Sequence, residues 1–120
     1  MENANIRVIT DKIGLLEFKK TAEETFGDMV KAVVDIEKGI MAIGGEMHYD
    51  EEQVLLQGGS KQEDLWGINL HVELTGGDFV QFDSMINIRP RQNNRSRGVE
   101  DKEIRKKIVE TVDKLVDYTK

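Results

Sequence analysis

The sequence predicts an α+β domain, with a mostly antiparallel sheet of four or five strands and two main helices packed on one face. Two segments carry apolar residues at helical spacing. Two pairs of short apolar runs are each joined by a glycine-containing turn, and residues 65–74 alternate apolar and polar side chains. In chain order these elements read β-α-β-β-(short α)-β-β-α.

Length and composition limit the functions to consider. The chain has 120 residues and a formal net charge of -6, so we expect a single domain over residues 1–120. It contains no cysteine, which excludes disulfides, thiolate-held metal centres and cysteine catalysis. No apolar run approaches the ~20 residues of a membrane span. Residues 1–5 do not resemble a signal peptide, so we expect a cytoplasmic protein.

The N-terminal region predicts a strand followed by a helix. Residues 6–9 form a short β run, after which Thr10 or Asp11 is expected to cap the helix. The helix shows one apolar stripe at three- and four-residue steps: Leu15, Phe18, Ala22 and Phe26. Charged residues occupy the opposite side, so this helix should pack one face against the sheet.

Residues 29–36 and 40–43 predict an antiparallel hairpin, with Gly39 supplying a positive φ in the turn. The second strand can continue through residues 46–49. Two capping-box spacings follow, one beginning at Asp50 and one at Ser60. They predict one or two turns of helix and then a single helical turn before the next strand.

Residues 65–74 predict a half-buried strand, and the return strand is predicted over residues 80–89. Residues that face one another must share a side of the sheet, so the loop should have three or five residues. A five-residue loop would place His71 opposite Asp83. The face away from the helices, either solvated or a binding face, would carry Asn69, His71, Glu73, Gln81, Asp83, Asn87 and Arg89.

The C-terminal region predicts the second main helix. Pro90 cannot continue a strand, and Glu100 or Asp101 is expected to cap the helix beyond the intervening loop. Its buried stripe is predicted to consist of Ile104, Ile108, Val112, Leu115 and Val116.

The loop over residues 89–97 contains four of the six arginines of this acidic chain and no lysine. The planar guanidinium suits phosphate and carboxylate groups better than an ammonium does. The predicted ligand-binding residues are Arg89, Arg91, Asn93, Asn94, Arg95 and Arg97. The alternative is a solvated loop whose arginines pair with nearby acids. The loop has no aromatic residue for base stacking, which argues against nucleic acid.

Two other groups of residues are of types that take part in catalysis or metal binding, but their patterns are less specific. His71 beside Asp83 could act as an oriented general base, although an exposed cross-strand pair would look the same. Glu46, His48 and Asp50 alternate and are metal-ligand types, but a lone histidine among acids at a helix start is more typical of a cap region. We therefore predict no metal site.

Three segments carry a resemblance to a known family: FGDMVKAVVD at residues 26–35, QEDLWGIN at residues 62–69, and residues 82–101. In these strings the chain resembles a family of small uncharacterised archaeal and bacterial proteins, a domain of unknown function. The resemblance implies a free-standing cytoplasmic domain. It implies no activity, cofactor or catalytic residue.

Together these observations predict a binding module whose loop 89–97 recognises an anionic small molecule or an acidic protein. One alternative is a small enzyme that uses His71 and Asp83, with or without a metal ion. Another is a homo-oligomer that pairs through the exposed sheet face. The sequence specifies no cofactor, oligomeric state or substrate.

Overall fold

The computed structural model describes residues 5–119, and within them it confirms the α+β fold. The strands are β1 Arg7–Ile9, β2 Ile13–Gly14, β3 Met29–Asp35, β4 Ile40–Ile43, β5 Leu65–His71, β6 Val80–Gln81 and β7 Val116–Asp117. The helices are α1 Leu15–Glu24, α2 His48–Gln57 and α3 Lys102–Leu115. Five strands form an antiparallel sheet in the order β1-β4-β3-β5-β6, while β2 and β7 pair in parallel. None of the described helices is long and apolar enough to cross a membrane.

The helices α1 and α3 cover one face of the sheet, as the apolar stripes predict. Phe18 of α1 and Ile108 of α3 are fully buried in one cluster with Trp66 and Ile68 of β5. Asp101 caps α3, its carboxylate accepting from the backbone N–H groups of residues 103 and 104. The prediction that Phe26 completes the first stripe is wrong, because α1 ends at Glu24 and Phe26 is exposed. Gly14 precedes α1 without a side-chain cap, so neither Thr10 nor Asp11 has that role.

The hairpin of β3 and β4 is confirmed, with Asp35 opposite Ile40 and Gly39 at a φ of +69°. The Asp35 carboxylate is buried and accepts from the backbone N–H groups of Glu37 and Lys38. It also accepts from the hydroxyl of Ser60 at 2.6 Å. Ser60 therefore supports the hairpin turn instead of capping a helix.

The α2 helix covers part of the second face of the sheet, which corrects the prediction that this face carries no helix. Leu55 of α2 packs in a second buried cluster with Val33, Ala42 and Leu65. This helix is longer than predicted and begins at His48, so residues 46–49 do not extend a strand and Asp50 does not cap it. The homo-oligomer alternative stays a prediction.

The β5–β6 pairing keeps the predicted parity but has a different register. Asn69 pairs with Gln81, and the N–H of His71 donates to the carbonyl of Phe79. The return strand ends at Gln81, where the sequence predicts a strand to residue 89. Beyond it the side-chain amide of Asn87 takes the place of a strand, donating to the carbonyl of Gly67 and accepting from its N–H. These two hydrogen bonds pair the backbone N–H and C=O of Gly67 on the edge of β5, where no strand continues.

Candidate functional site

The arginine-rich loop is a folded unit organised by Asn94. The side chain of Asn94 is buried, and its amide nitrogen lies within 2.7–3.1 Å of the carbonyl oxygens of Asn87, Ser96 and Gly98. Its oxygen accepts from the N–H of Glu100 at 2.8 Å. Both ends of the loop are therefore tied to one side chain.

Arg89 is turned inward onto the end of β5. Its guanidinium donates to the carbonyl oxygens of Gln62 and Leu65 and lies 4.2 Å from the ring centre of Trp66. Stacking on an aromatic face and donating to two carbonyls uses the planar shape of the group. The environment of Arg89 is that of an anchor between the loop and the sheet.

The six predicted binding residues do not face a common point. Arg91, Asn93 and Arg95 are exposed, and within residues 5–119 the guanidiniums of the two arginines form no ion pair. Asn93 adopts a left-handed conformation with a φ of 62°, which turns the chain. Arg97 pairs with Asp83 at 2.6 Å and borders a cleft. Recognition of an acidic partner by Arg91 and Arg95 stays a prediction.

This cleft, of about 200 Å³, lies on the sheet face that carries α2. Its floor is formed by Lys31 of β3 and Asn69 of β5, which are direct cross-strand partners. The first turn of α2 lines one side and residues 83–86 line the other, together with Arg97. The cleft is large enough for a small anion with a few water molecules, at ~30 Å³ per water.

The side chains that line the cleft carry more positive than negative charge. Lys31 forms no ion pair among the described residues, while Arg97 is balanced by Asp83. Burial lowers the pKa of His48 to about 4, so this ring is neutral near pH 7. Burial also raises the pKa of Glu51, in the first turn of α2, well above its usual value, which disfavours a negative charge there. The positive end of the α2 dipole adds to the charge of Lys31, whereas Asp50, in the first turn of α2, opposes it.

The cleft also offers hydrogen-bond acceptors that have no donor within the described part of the chain. The Nε2–H of His48 donates to the carbonyl of Ile68 at 2.8 Å, which leaves Nδ1 as an acceptor. The amide nitrogen of Asn69 donates to Gln81 and to the carbonyl of Asp83, but its Oδ1 is buried and has no partner among residues 5–119. An unpaired buried acceptor is costly, so Asn69 favours a ligand that carries a donor.

The other predicted constellations do not assemble. The ring of His71 bonds Gln81 at 3.0 Å, whereas Asp83 bonds Arg97, so the predicted His71–Asp83 pair is wrong because the register differs. Among residues 5–119, no group of three histidine or acidic side chains could hold a metal ion. His48 belongs to the buried start of α2 and not to an extended chain with Glu46 and Asp50.

Sequence reasoning missed Lys31, whose only signal was one cation within the apolar run of β3. It also missed the cleft role of Asn69 and the first turn of α2. Their proximity depends on the packing of α2, which no local pattern shows.

Comparison with known proteins identifies a family but no activity. Residues 7–115 match the model of a family described as protein of unknown function (DUF5674). This match confirms the resemblance to a family of unknown function. No curated protein and no solved structure matches the chain.

Proposed function

This chain belongs to the family of proteins of unknown function described as DUF5674, and we propose that it binds a small anion that carries a hydroxyl group. The observation that supports this most is that one cleft is lined by Lys31, Arg97 and Asn69, and that the Asn69 Oδ1 is buried without a hydrogen-bond partner among residues 5–119. The function is one of binding, and the ligand class includes hydrogen phosphate and small phosphomonoesters of polyols.

The charges favour an anion. Lys31 and Arg97 outnumber Asp83, and the neutral ring of His48 adds no opposing charge. The N–H groups of His48 and Tyr49, at the start of α2, have no backbone acceptor within residues 5–119. Free N–H groups at a helix start suit an anion when cationic side chains lie beside them.

The hydrogen-bond acceptors of the cleft limit the class of anion that can bind there. At neutral pH, hydrogen phosphate carries an O–H donor and sulfate does not. The unpaired oxygen of Asn69 can accept that donor but would repel a sulfate oxygen. A site built around a hydrogen bond discriminates against a ligand that lacks the donor. We therefore expect phosphate to bind about tenfold more tightly than sulfate.

The test is an amide chemical-shift titration at low ionic strength, since salt screens exposed charges. The probes are phosphate, sulfate, glycerol 3-phosphate and glycerol. We expect saturable shifts at Tyr49, Ser84 and Arg97 with the two phosphates, weaker binding of sulfate and no response to glycerol. Equal affinity for sulfate and phosphate would refute the role of Asn69, and no saturable shift with either phosphate would refute the proposal.

Charge-neutralising variants distinguish binding of phosphate in the cleft from general attraction by the positive charges of the loop. Lys31→Gln and Arg97→Gln should each weaken phosphate about tenfold, because each removes a charge-assisted hydrogen bond. Arg91→Gln and Arg95→Gln remove the same charge from exposed positions of the loop and should leave the affinity unchanged. If these two controls weaken binding as much as Arg97→Gln, the attraction is general and the cleft is not the site.

A further inference from the structure

A second concave surface lies on the opposite face of the sheet. It is a groove of about 530 Å³ between α3 and the β5–β6 connection. That volume falls within the roughly 300–1,000 Å³ of small-molecule sites. Its lining is mainly apolar, and Leu74, Val109 and Tyr118 remain 49%, 37% and 45% exposed. Exposed apolar side chains that line one concavity favour an apolar ligand.

One end of this groove is basic. Phe82 and Val109 also border an adjoining hollow whose other lining residues are Lys102, Arg105, Lys106 and Glu110. Three cations and one acid in this hollow contrast with the charge of -6 for the whole chain. Cations near the start of a helix oppose its dipole, so folding alone does not favour Lys102 here.

Arg105 supplies an independent indication of a ligand. Its Nε is buried and has no hydrogen-bond partner among residues 5–119. A buried donor of this kind favours an acceptor supplied from outside the chain. Because the donor belongs to a guanidinium, a carboxylate or another oxyanion is the suitable partner.

The other end of the groove is closed by an internal contact. The hydroxyl of Tyr118 donates to the carboxylate of Asp113 at 2.8 Å, and its ring packs edge-on against Phe79 at 5.1 Å. The negative charge at this end would repel an anionic head group. The two ends therefore define a direction for a ligand with one charged end.

We propose that this groove binds a single-chain amphiphile with an anionic head. The apolar chain lies along Leu74, Phe82 and Val109, and the head lies on Lys102, Arg105 and Lys106. The ligand is a free monomer held in the groove. This site is separate from the cleft and does not depend on the function proposed for it.

Titration calorimetry below the micelle-forming concentration tests the proposal with three probes. Dodecanoate should bind with one molecule per chain. Decanoate should bind roughly tenfold more weakly, because two buried methylene groups are lost. Dodecyltrimethylammonium has the same chain with the opposite charge and should bind at least about tenfold more weakly than dodecanoate. Equal binding of the cationic and anionic probes would overturn the proposal.

Matched variants locate the two ends of the ligand. Arg105→Gln should weaken dodecanoate about tenfold, whereas Lys107→Gln, which removes a charge from the same helix outside the groove, should not. Val109→Asn should weaken both dodecyl probes, whereas Leu16→Asn, at a residue 70% exposed on α1, should weaken neither. Lys31→Gln, which affects the cleft, should leave dodecanoate binding unchanged. Equal effects of Arg105→Gln and Lys107→Gln would contradict the assigned head-group position.

Vesicle sedimentation separates a free amphiphile from a lipid surface. The protein should bind dodecanoate in calorimetry whether or not it sediments with vesicles of anionic phospholipid. Sedimentation with those vesicles and no binding of dodecanoate would overturn the proposal in favour of surface attachment.

Discussion

Removing the side chain of Asn94 should destabilise the protein by about 3 kcal/mol. The amide group has two hydrogens for three carbonyl oxygens at 2.7–3.1 Å, so at most two are bonded fully at one time. Asn94→Ala therefore leaves about two carbonyl acceptors unpaired and also leaves the N–H of Glu100 without its acceptor. An unsatisfied buried polar group costs about 1–3 kcal/mol. The lower part of that range applies because Ser96 is exposed and water can reach this end of the loop.

Urea denaturation measures this change as a lower midpoint with an unchanged slope. The matched control is Asn93→Gly, because Asn93 is exposed and its φ of 62° suits glycine. It should shift the free energy of unfolding by less than about 0.5 kcal/mol. Amide hydrogen exchange adds a local readout, since the N–H of Glu100 should lose protection in Asn94→Ala. A change for Asn94→Ala no larger than that for Asn93→Gly would refute the reasoning.

Three further predictions concern the stability of the fold. The pKa of His48 is lowered to about 4 by burial, so the neutral ring favours the folded state above the unfolded pKa of 6.5. This contribution to the free energy of unfolding, about 3 kcal/mol, is lost as pH falls toward 4. Urea titrations at pH 7 and at pH 4.5 should therefore show a smaller loss of stability for His48→Gln than for the unchanged protein. Gly44→Ala should lower the free energy of unfolding in urea by more than about 2 kcal/mol, because Gly44 has a φ of +97° and backbone atoms lie against it. Gly77 has open space around it, so the control Gly77→Ala should leave the free energy of unfolding nearly unchanged. Arg89→Lys loses the planar donors and the stacking on Trp66, so it should lower the free energy of unfolding by about 1–2 kcal/mol. It should also change the fluorescence of Trp66, the single tryptophan of the chain, and an unchanged spectrum would contradict the contact.

Periodicity predicted the elements whose partners are local or whose face is uniform. The stripe of α3 is buried at Ile108, Val112 and Leu115 as expected, and the hairpin of β3 and β4 closes at Gly39. In α3 the apolar residues of the predicted stripe all indicate the same face, and in the hairpin the two strands are neighbours along the chain. The hydrophobic effect is proportional to apolar area, so a consistent stripe is sufficient to orient an element.

The second face of the sheet could not be predicted in this way. The α2 helix carries a buried histidine and two buried glutamates among its ten residues, so its apolar pattern is weak. The end of β6 was missed for a different reason. Gly67 leaves room for Ser84, since a side chain at Gly67 would begin 2.6 Å from Ser84 Oγ, and Asn87 then bonds the backbone of Gly67. These contacts join residues about 20 positions apart, and alternation within one strand contains no information about them.

Some of the arginines in the loop have a structural role, and the sequence pattern alone does not distinguish that role from ligand binding. A segment with few apolar residues buries little area and must be held by polar contacts. Arg89 and Asn94 supply those contacts to backbone carbonyls, and the same residue types are the ones that would bind an anion. What separates the two roles is the direction of each side chain. Arg97 borders a concavity that also contains Lys31 and Asn69, so among the four arginines of the loop it is the one that lines the cleft.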